Sequence, residues 1–239
     1  MSESLQIIPT INLALAFIPV IMVLFILYRW SLDMTNAAYS VGRMLIQLLL
    51  VGYVLTTIFA AESAWIVALV MLIMVMSASW IALGTVKEHR LLLYKHAFWS
   101  ILIGGGATLL LITQVVIHLE PWFEPQYMVP LAGMIFANSM NSVSLAAERL
   151  QAERDRNVAY EKARTIAFNA AFIPIVNSLF AVGLVALPGM MTGQILSGVS
   201  PVIAAHYQIV VMCMVFGSAG LSTAFFLVLS KSMYSKNEQ

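Results

Sequence analysis

The run AWIVALVMLIMVMSASWIALG, residues 64–84, carries no charged side chain and matches the roughly 20 residues a helix needs to cross a hydrocarbon core. On a soluble protein such a segment has no polar face to turn to water. In lipid, a helix satisfies all its backbone donors and acceptors internally, so the run reads as a membrane-crossing helix. Six further apolar runs, at 7–28, 44–61, 97–117, 127–147, 167–187 and 205–230, repeat the pattern. The second is the shortest, and Glu62 leaves only a tight turn before the third. The expectation is an all-α fold, a polytopic membrane helical bundle with about seven transmembrane helices, forming one transmembrane domain over 1–239.

Composition agrees. Of 239 residues, 61% are hydrophobic and 10% are charged, against about a quarter charged in soluble domains. Outside the spans too little chain remains to build a soluble core. The net charge of +1, from 12 basic and 11 acidic residues, creates no field to gather nucleic acid. Cys213 is the single cysteine, which removes disulfides and multi-cysteine metal sites within one chain. The start, MSESLQ, lacks the basic segment of a cleaved signal peptide.

The connecting segments alternate in charge. Arg29 and Arg43 lie between the first two spans, and Lys87, Arg90 and Lys95 between the third and fourth. Arg149, Arg154, Arg156, Lys162 and Arg164 follow the fifth span, and Lys231 and Lys236 close the chain. The other side holds Glu3, Glu62, Glu120 and Glu124 with no Lys or Arg. The positive-inside rule then places the N-terminus outside and the C-terminus in the cytoplasm, in a bacterial inner membrane. Trp30, Trp65, Trp99 and Trp122 fall near span ends as interfacial anchors, while Trp80 lies deeper and reads as a packing residue.

No Asp, Glu, Lys or Arg stands near the middle of a span, which weighs against a proton-coupled carrier. The buried polar groups are amides and hydroxyls. In IFANSMNSVSL the residues Asn138, Asn141, Ser142 and Leu145 share a helical face, and in FIPIVNSLF Pro174 precedes Asn177 and Ser178. These groups either bond helix to helix or line a translocation path. Gln47, Thr56, Thr57 and Gln114 read as packing groups of the same kind. The run Gly104, Gly105, Gly106 permits close helix approach and is no phosphate loop. Nucleotide-binding, zinc-protease and nucleophile-elbow motifs are missing, so the chain reads as a non-enzyme with no cofactor of its own. His89, His96, His118 and His206 lie near span ends and read as interfacial residues. The 15 methionines are scattered, as flexible apolar filler would be.

Two connecting stretches stand out. AAERLQAERDRNVAYEKARTIAF, 146–168, is rich in charge and helix formers, free of Gly and Pro, and predicts a solvated helix with pairs such as Arg149 and Glu153. It fits a charged orientation anchor or a partner-docking helix equally. LPGMMTGQILSGVSP, 187–201, is uncharged and punctuated by glycine and proline, which fits a re-entrant segment or a glycine-rich outer turn.

The segments VGRMLIQLLLVGYVL (41–55), PLAGMIFANSMNSVSL (130–145), IPIVNS (173–178), VGLVALPGMMTGQILSG (182–198) and YQIVVM (207–212) resemble the FetB/YbbM (UPF0014) family of ABC-transporter permeases. The likeness runs in order along nearly the whole chain. Its most specific part is the motif Pro188, Gly189, Met190, Met191, Thr192, Gly193, Gln194.

The resemblance implies a permease without an ATPase of its own, dimeric in the lipid bilayer and paired with a cytoplasmic ABC ATP-binding subunit that uses ATP and Mg. It assigns ATPase coupling to the segment 148–165, through Glu148, Arg149, Glu153, Arg154, Arg156, Glu161, Lys162 and Arg164, with Ala163 among the contacts. It also implies iron-export-like movement of a metal ion or metal complex. Alternating access would carry motion from the coupling helix along the fifth and sixth spans to Asn138, Asn141, Ser142, Asn177 and Ser178. One departure stands out, because the LxLGATPxxA stretch common in the family's coupling loop is missing here and the loop is shorter. The spans hold no carboxylate cluster for a hard cation, and amides suit a ligated metal or a neutral solute better. The rival readings are an ATP-independent seven-span carrier or channel and a membrane receptor.

Overall fold

The computed structural model describes residues 9–60 and 63–235. Glu3, Glu62 and Lys236 of the charge pattern lie outside them. The chain divides after Ala60 into two compact units.

The first unit holds α1 (Thr10–Leu15), α2 (Ile18–Arg29) and α3 (Met34–Phe59). α1 and α2 are one apolar segment broken at Ala16 and Phe17, because Pro19 has no N–H to offer the Leu15 carbonyl. Ser31, at φ 54°, turns the chain toward α3. The Asp33 side chain caps that helix by accepting the Asn36 amide at 2.9 Å. α3 thus begins ahead of the expected span 44–61, and Arg43 lies inside it rather than in a loop. The shortness of that span came from counting apolar residues and overlooking the Asp33 cap.

The second unit contains α4 (Ala64–Ala82), α5 (Arg90–Leu110), α6 (Pro125–Asp155), α7 (Tyr160–Ala181), α8 (Gly189–Leu196) and α9 (Pro201–Ser235). Two 3-10 turns, Leu83–Thr85 and Lys87–His89, connect α4 to α5, and a π-helical turn, Leu111–Val116, prolongs α5. α9 is the central element and packs along α5, α6 and α7, while α4 closes on α5 and α6.

Small residues make this packing close. A Cβ on Gly104 would stand 2.5 Å from the Ser222 backbone nitrogen, so α5 and α9 touch backbone to backbone there. Gly105 instead makes room for side chains, since a Cβ there would stand 3.0 Å from the Ile135 Cγ2 and 3.1 Å from the Phe136 ring of α6. Ala97, Ala132, Ala146, Ala163, Ala167 and Ala219 are fully buried. In lipid no hydrophobic force drives helices together, and such contacts, with polar bonds between helices, hold the bundle. Ser222 donates to Ser139 Oγ at 3.1 Å, and Ser139 donates to the Ser218 carbonyl at 3.2 Å, tying α6 to α9.

Among the described residues, six segments are long and apolar enough to cross a membrane: Thr10–Arg29, Met34–Phe59, Ala64–Thr85, Lys87–Val116, Tyr160–Ala181 and Pro201–Tyr234. They correspond to six of the seven expected spans. The seventh, 127–147, lies within the 31-residue α6, where Asn138, Ser139, Asn141, Ser142 and Ser144 dilute its apolar character. The chain is an all-helical, multi-pass membrane protein, and its only strand-like feature among the described residues is an isolated bridge between Val182 and Ala186.

Candidate functional sites

The charged stretch after the fifth span is a helical hairpin rather than one helix. α6 runs straight to Asp155, and Asn157, at φ 59°, turns the chain into α7 at Tyr160. Arg154 donates to the Val158 carbonyl at 2.9 Å and closes the turn. The expected pair is present, with Arg149 Nη2 at 2.7 Å from Glu153, and Arg156 stands 3.8 Å from the same carboxylate. Glu153 is buried and serves as the anchor of the turn.

The hairpin is latched to the end of α9. The buried Tyr160 hydroxyl donates to the Leu227 carbonyl, with Ser230 beside it. Tyr234 donates to Gln151 Oε1 at 2.9 Å, and Lys231 meets Glu161 at 2.6 Å, with Arg164 on the other Glu161 oxygen at 2.7 Å. Replacing Tyr234 by Phe is expected to cost about 1 kcal/mol, read as a fall of a few degrees in Tm. Lys231→Ala should leave Tm unchanged, because its ion pair is exposed.

Burial sorts the expected coupling residues. Glu148, Arg156, Glu161 and Lys162 are exposed, Arg149, Arg154 and Arg164 are half-buried, and Glu153 and Ala163 are turned inward. Ala163 is fully enclosed and therefore has no surface for a partner. Beside the hairpin, a polar recess of about 460 Å³ lies between the 85–89 turn and Gln151 and Asp155. Sequence reading did not single out that recess, since its two walls are distant in the chain. Trp80 is a packing residue as expected. Arg90 lies 3.8 Å above its ring and donates to its carbonyl at 2.6 Å.

The expected polar face of α6 divides. Asn138 is half-buried and donates to the Met134 carbonyl of its own helix at 2.8 Å, Asn141 is exposed, and Ser142 is buried. Asn177 and Ser178 of α7 are also exposed. Asn138 and Asn177 each lie about 17 residues from the hairpin turn, hence at a common depth of about 25 Å.

The 187–201 stretch forms a short helix, α8, between two turns. Gly183 and Gly198, at φ 80° and 92°, supply the left-handed backbone for its entry and exit. No residue of α8 is fully buried. Thr192 donates to the Pro188 carbonyl at 3.1 Å and steadies the first turn. α8 sits between two cavities. One, of about 500 Å³, is bordered by α7, α8 and α9 and includes Met191, Gln208 and Cys213. The other, of about 600 Å³, is bordered by α6, α8 and α9 and includes Met190 and Gln194. Adjacent methionines of one motif thus face different spaces. Pro188, Gly189 and Gly193 border neither cavity and shape the helix ends and its thin face. Among the described residues no cluster of three or more His, Cys, Asp or Glu could hold a metal ion.

The sequence matches the model of the Uncharacterised protein family (UPF0014) in two pieces, 10–159 and 154–234. The pieces overlap over 154–159, at the α6–α7 turn. The probable iron export permease protein FetB of Escherichia coli is 33% identical over 95% of this chain and 93% of its own length. A UPF0014 membrane protein of Synechocystis is 35% identical over 82% of this chain and 83% of its own length. The protein ALUMINUM SENSITIVE 3 of Arabidopsis thaliana is 32% identical over 88% of this chain and 81% of its own length. No solved structure matches. With its whole helical order accounted for by these likenesses, the chain belongs to the UPF0014 family of multi-pass membrane proteins.

Proposed function

We propose that this protein is the membrane permease subunit of an ATP-driven exporter, working as a homodimer with a separate cytoplasmic ABC ATP-binding subunit. The observation that carries the reading is the α6–α7 hairpin, which presents Glu148, Arg156, Glu161 and Lys162 outward around the buried Glu153. The near-full-length likeness to a probable iron export permease supplies the transport role. The N-terminus lies outside and the hairpin lies in the cytoplasm, in keeping with the positive-inside rule.

Within the described residues Asn141, Asn177 and Ser178 have no side-chain hydrogen bond. Lipid offers none, so a second copy facing them is the arrangement that gives these groups partners. The translocation path then runs between the two copies, along α6 and α7. The latch at Tyr160 and Tyr234 makes the hairpin and the end of α9 one lever. Displacement of the hairpin by the partner moves the helices that carry the path, and alternating access follows from two arrangements of that lever. The cargo is a metal in complexed form, because the spans offer amides and hydroxyls rather than a carboxylate cage. ATP and Mg act on the partner, and no covalent chemistry falls to this chain.

Co-purification in detergent with the ATP-binding protein encoded nearest to its gene tests the reading. A stable complex containing two copies of this chain is expected, and the chain emerging alone with every candidate ATPase would favour an autonomous carrier.

A further inference from the structure

We propose that the groove between α7 and α9, at the hairpin end of the bundle, holds one anionic phospholipid of the surrounding bilayer, with its phosphate at Arg164 and Lys231 and an acyl chain along Phe168 and Val228. The groove has a volume of about 230 Å³ and is bordered by Arg164, Phe168 and Asn169 of α7 and by Ala224 and Val228 of α9. Among the described residues no acidic side chain borders it.

Polarity falls along the groove in the order a phospholipid requires. At the hairpin end two cations share one carboxylate. Lys231 Nζ is 2.6 Å from one Glu161 oxygen and Arg164 Nη2 is 2.7 Å from the other, so one positive charge is left over. All three side chains reach solvent, and the ion pair occupies only Nη2 of a guanidinium that carries donors on three nitrogens. Such a group suits a phosphate oxygen. Asn169 lies five residues further along α7, about 7 Å deeper. It is exposed within a membrane-crossing segment and has no side-chain hydrogen bond among the described residues. The Thr165 hydroxyl beside it already donates to the Glu161 carbonyl at 3.0 Å, so the Asn169 amide is the free donor at that depth. In a glycerophospholipid the ester carbonyls, which only accept, lie just below the phosphate. The sides are apolar. Phe168 is held by stacking on Phe172 at 4.8 Å, Val228 is 60% exposed, and the small Ala224 leaves the deep end open.

The combination is selective. A free anion would use the cationic end and leave Asn169 and the apolar sides idle, while a plain hydrocarbon chain would ignore the charge. A zwitterionic headgroup brings its own cation to a place that already has one in excess. A phospholipid of net negative charge satisfies every part. Which leaflet supplies it follows from the topology proposed above; binding itself depends neither on that topology nor on an ATPase.

Native mass spectrometry of the delipidated full-length protein in detergent, titrated with dioleoylphosphatidylglycerol or dioleoylphosphatidylcholine, tests the site. The first phosphatidylglycerol should bind about 5-fold more tightly than the first phosphatidylcholine, the factor one basic group is worth near an anionic headgroup. Lys231→Ala and Arg164→Gln should each remove that preference. Val228→Trp, which fills the groove and touches no charge, should weaken both lipids. Lys231 and Val228 are exposed, so these two variants keep the fold even if Arg164→Gln does not. Lys95→Gln, which removes an exposed cation of α5, should change nothing. Equal affinity for the two lipids would overturn the proposal, as would a preference that survives in Lys231→Ala and Arg164→Gln. An equal loss in Lys95→Gln would mean diffuse attraction by surface charge, and displacement of the lipid by millimolar inorganic phosphate would mean a free-anion site; either result contradicts a phospholipid groove.

Discussion

Gly104→Ala is expected to lower the stability of the purified protein by about 3 kcal/mol, a fall of roughly 10 °C in Tm. The added Cβ would lie 2.5 Å from the Ser222 nitrogen and 2.9 Å from the Leu221 carbonyl carbon. Both are backbone atoms of α9, so no side chain can rotate out of the way and the two helices must separate. Separation also loosens the contact between Ser222 and Ser139. Two other glycines calibrate the effect. At Gly220 the new methyl meets the tip of the Phe172 ring at 2.8 Å, which can give way, and the loss should be smaller. At Gly106 nothing lies within 4 Å, and Gly106→Ala should be neutral or slightly stabilising. Thermal unfolding of the three variants in one detergent decides the matter, and equal effects at Gly104 and Gly106 would contradict the packing described.

Neutralising the outward charges of the hairpin should abolish partner binding without harming the fold. In the triple variant Glu148→Gln, Arg156→Gln and Lys162→Gln, all three side chains are exposed, and among the described residues the ion pair disturbed is the long one between Arg156 and Glu153. Affinity for the ATP-binding subunit is expected to fall by at least about 10-fold, as loss of a charge-complementary surface implies, while Tm stays within a degree or two. Glu153→Gln should do the opposite. It leaves the half-buried Arg149 without its 2.7 Å partner and removes the charge from the buried member of the pair, so Tm should fall while the surface offered to the partner is retained. A triple variant that still binds the ATPase tightly would remove the hairpin from the coupling role.

The membrane bundle was legible because its signal is long. An uncharged run such as 64–84 needs no tertiary information to be read as a span, and α4 occupies Ala64–Ala82. Two members of the glycine run, Gly104 and Gly105, make the close approach that small residues in a span suggest, whereas Gly106 of the same run has nothing within 4 Å. The limits came from local chemistry that hydropathy does not see. Asp33 starts α3 well before its apolar portion, and Asn157 breaks the charged stretch with a left-handed residue in a sequence of helix formers. The tight turn has room for neither a separate coupling helix nor an accessible Ala163.

The polar sites were harder. Residue spacing put Ser142 with Asn138 and Asn141, but packing against the bundle decides which side of a helix is covered, and Ser142 lies on the covered side. The motif around Pro188 was recognisable as a pattern, yet its division between two cavities depends on α6, α7 and α9 meeting α8 from different directions. The latch of Tyr160 and Tyr234 joins residues that lie far apart in the chain, and no local pattern announces it.

The most direct test is flux of radiolabelled iron, supplied as its citrate complex, across vesicles that contain this protein with and without the proposed ATP-binding subunit. The predicted result is transport that requires both proteins and ATP. Equal flux through this protein alone, indifferent to ATP, would contradict it.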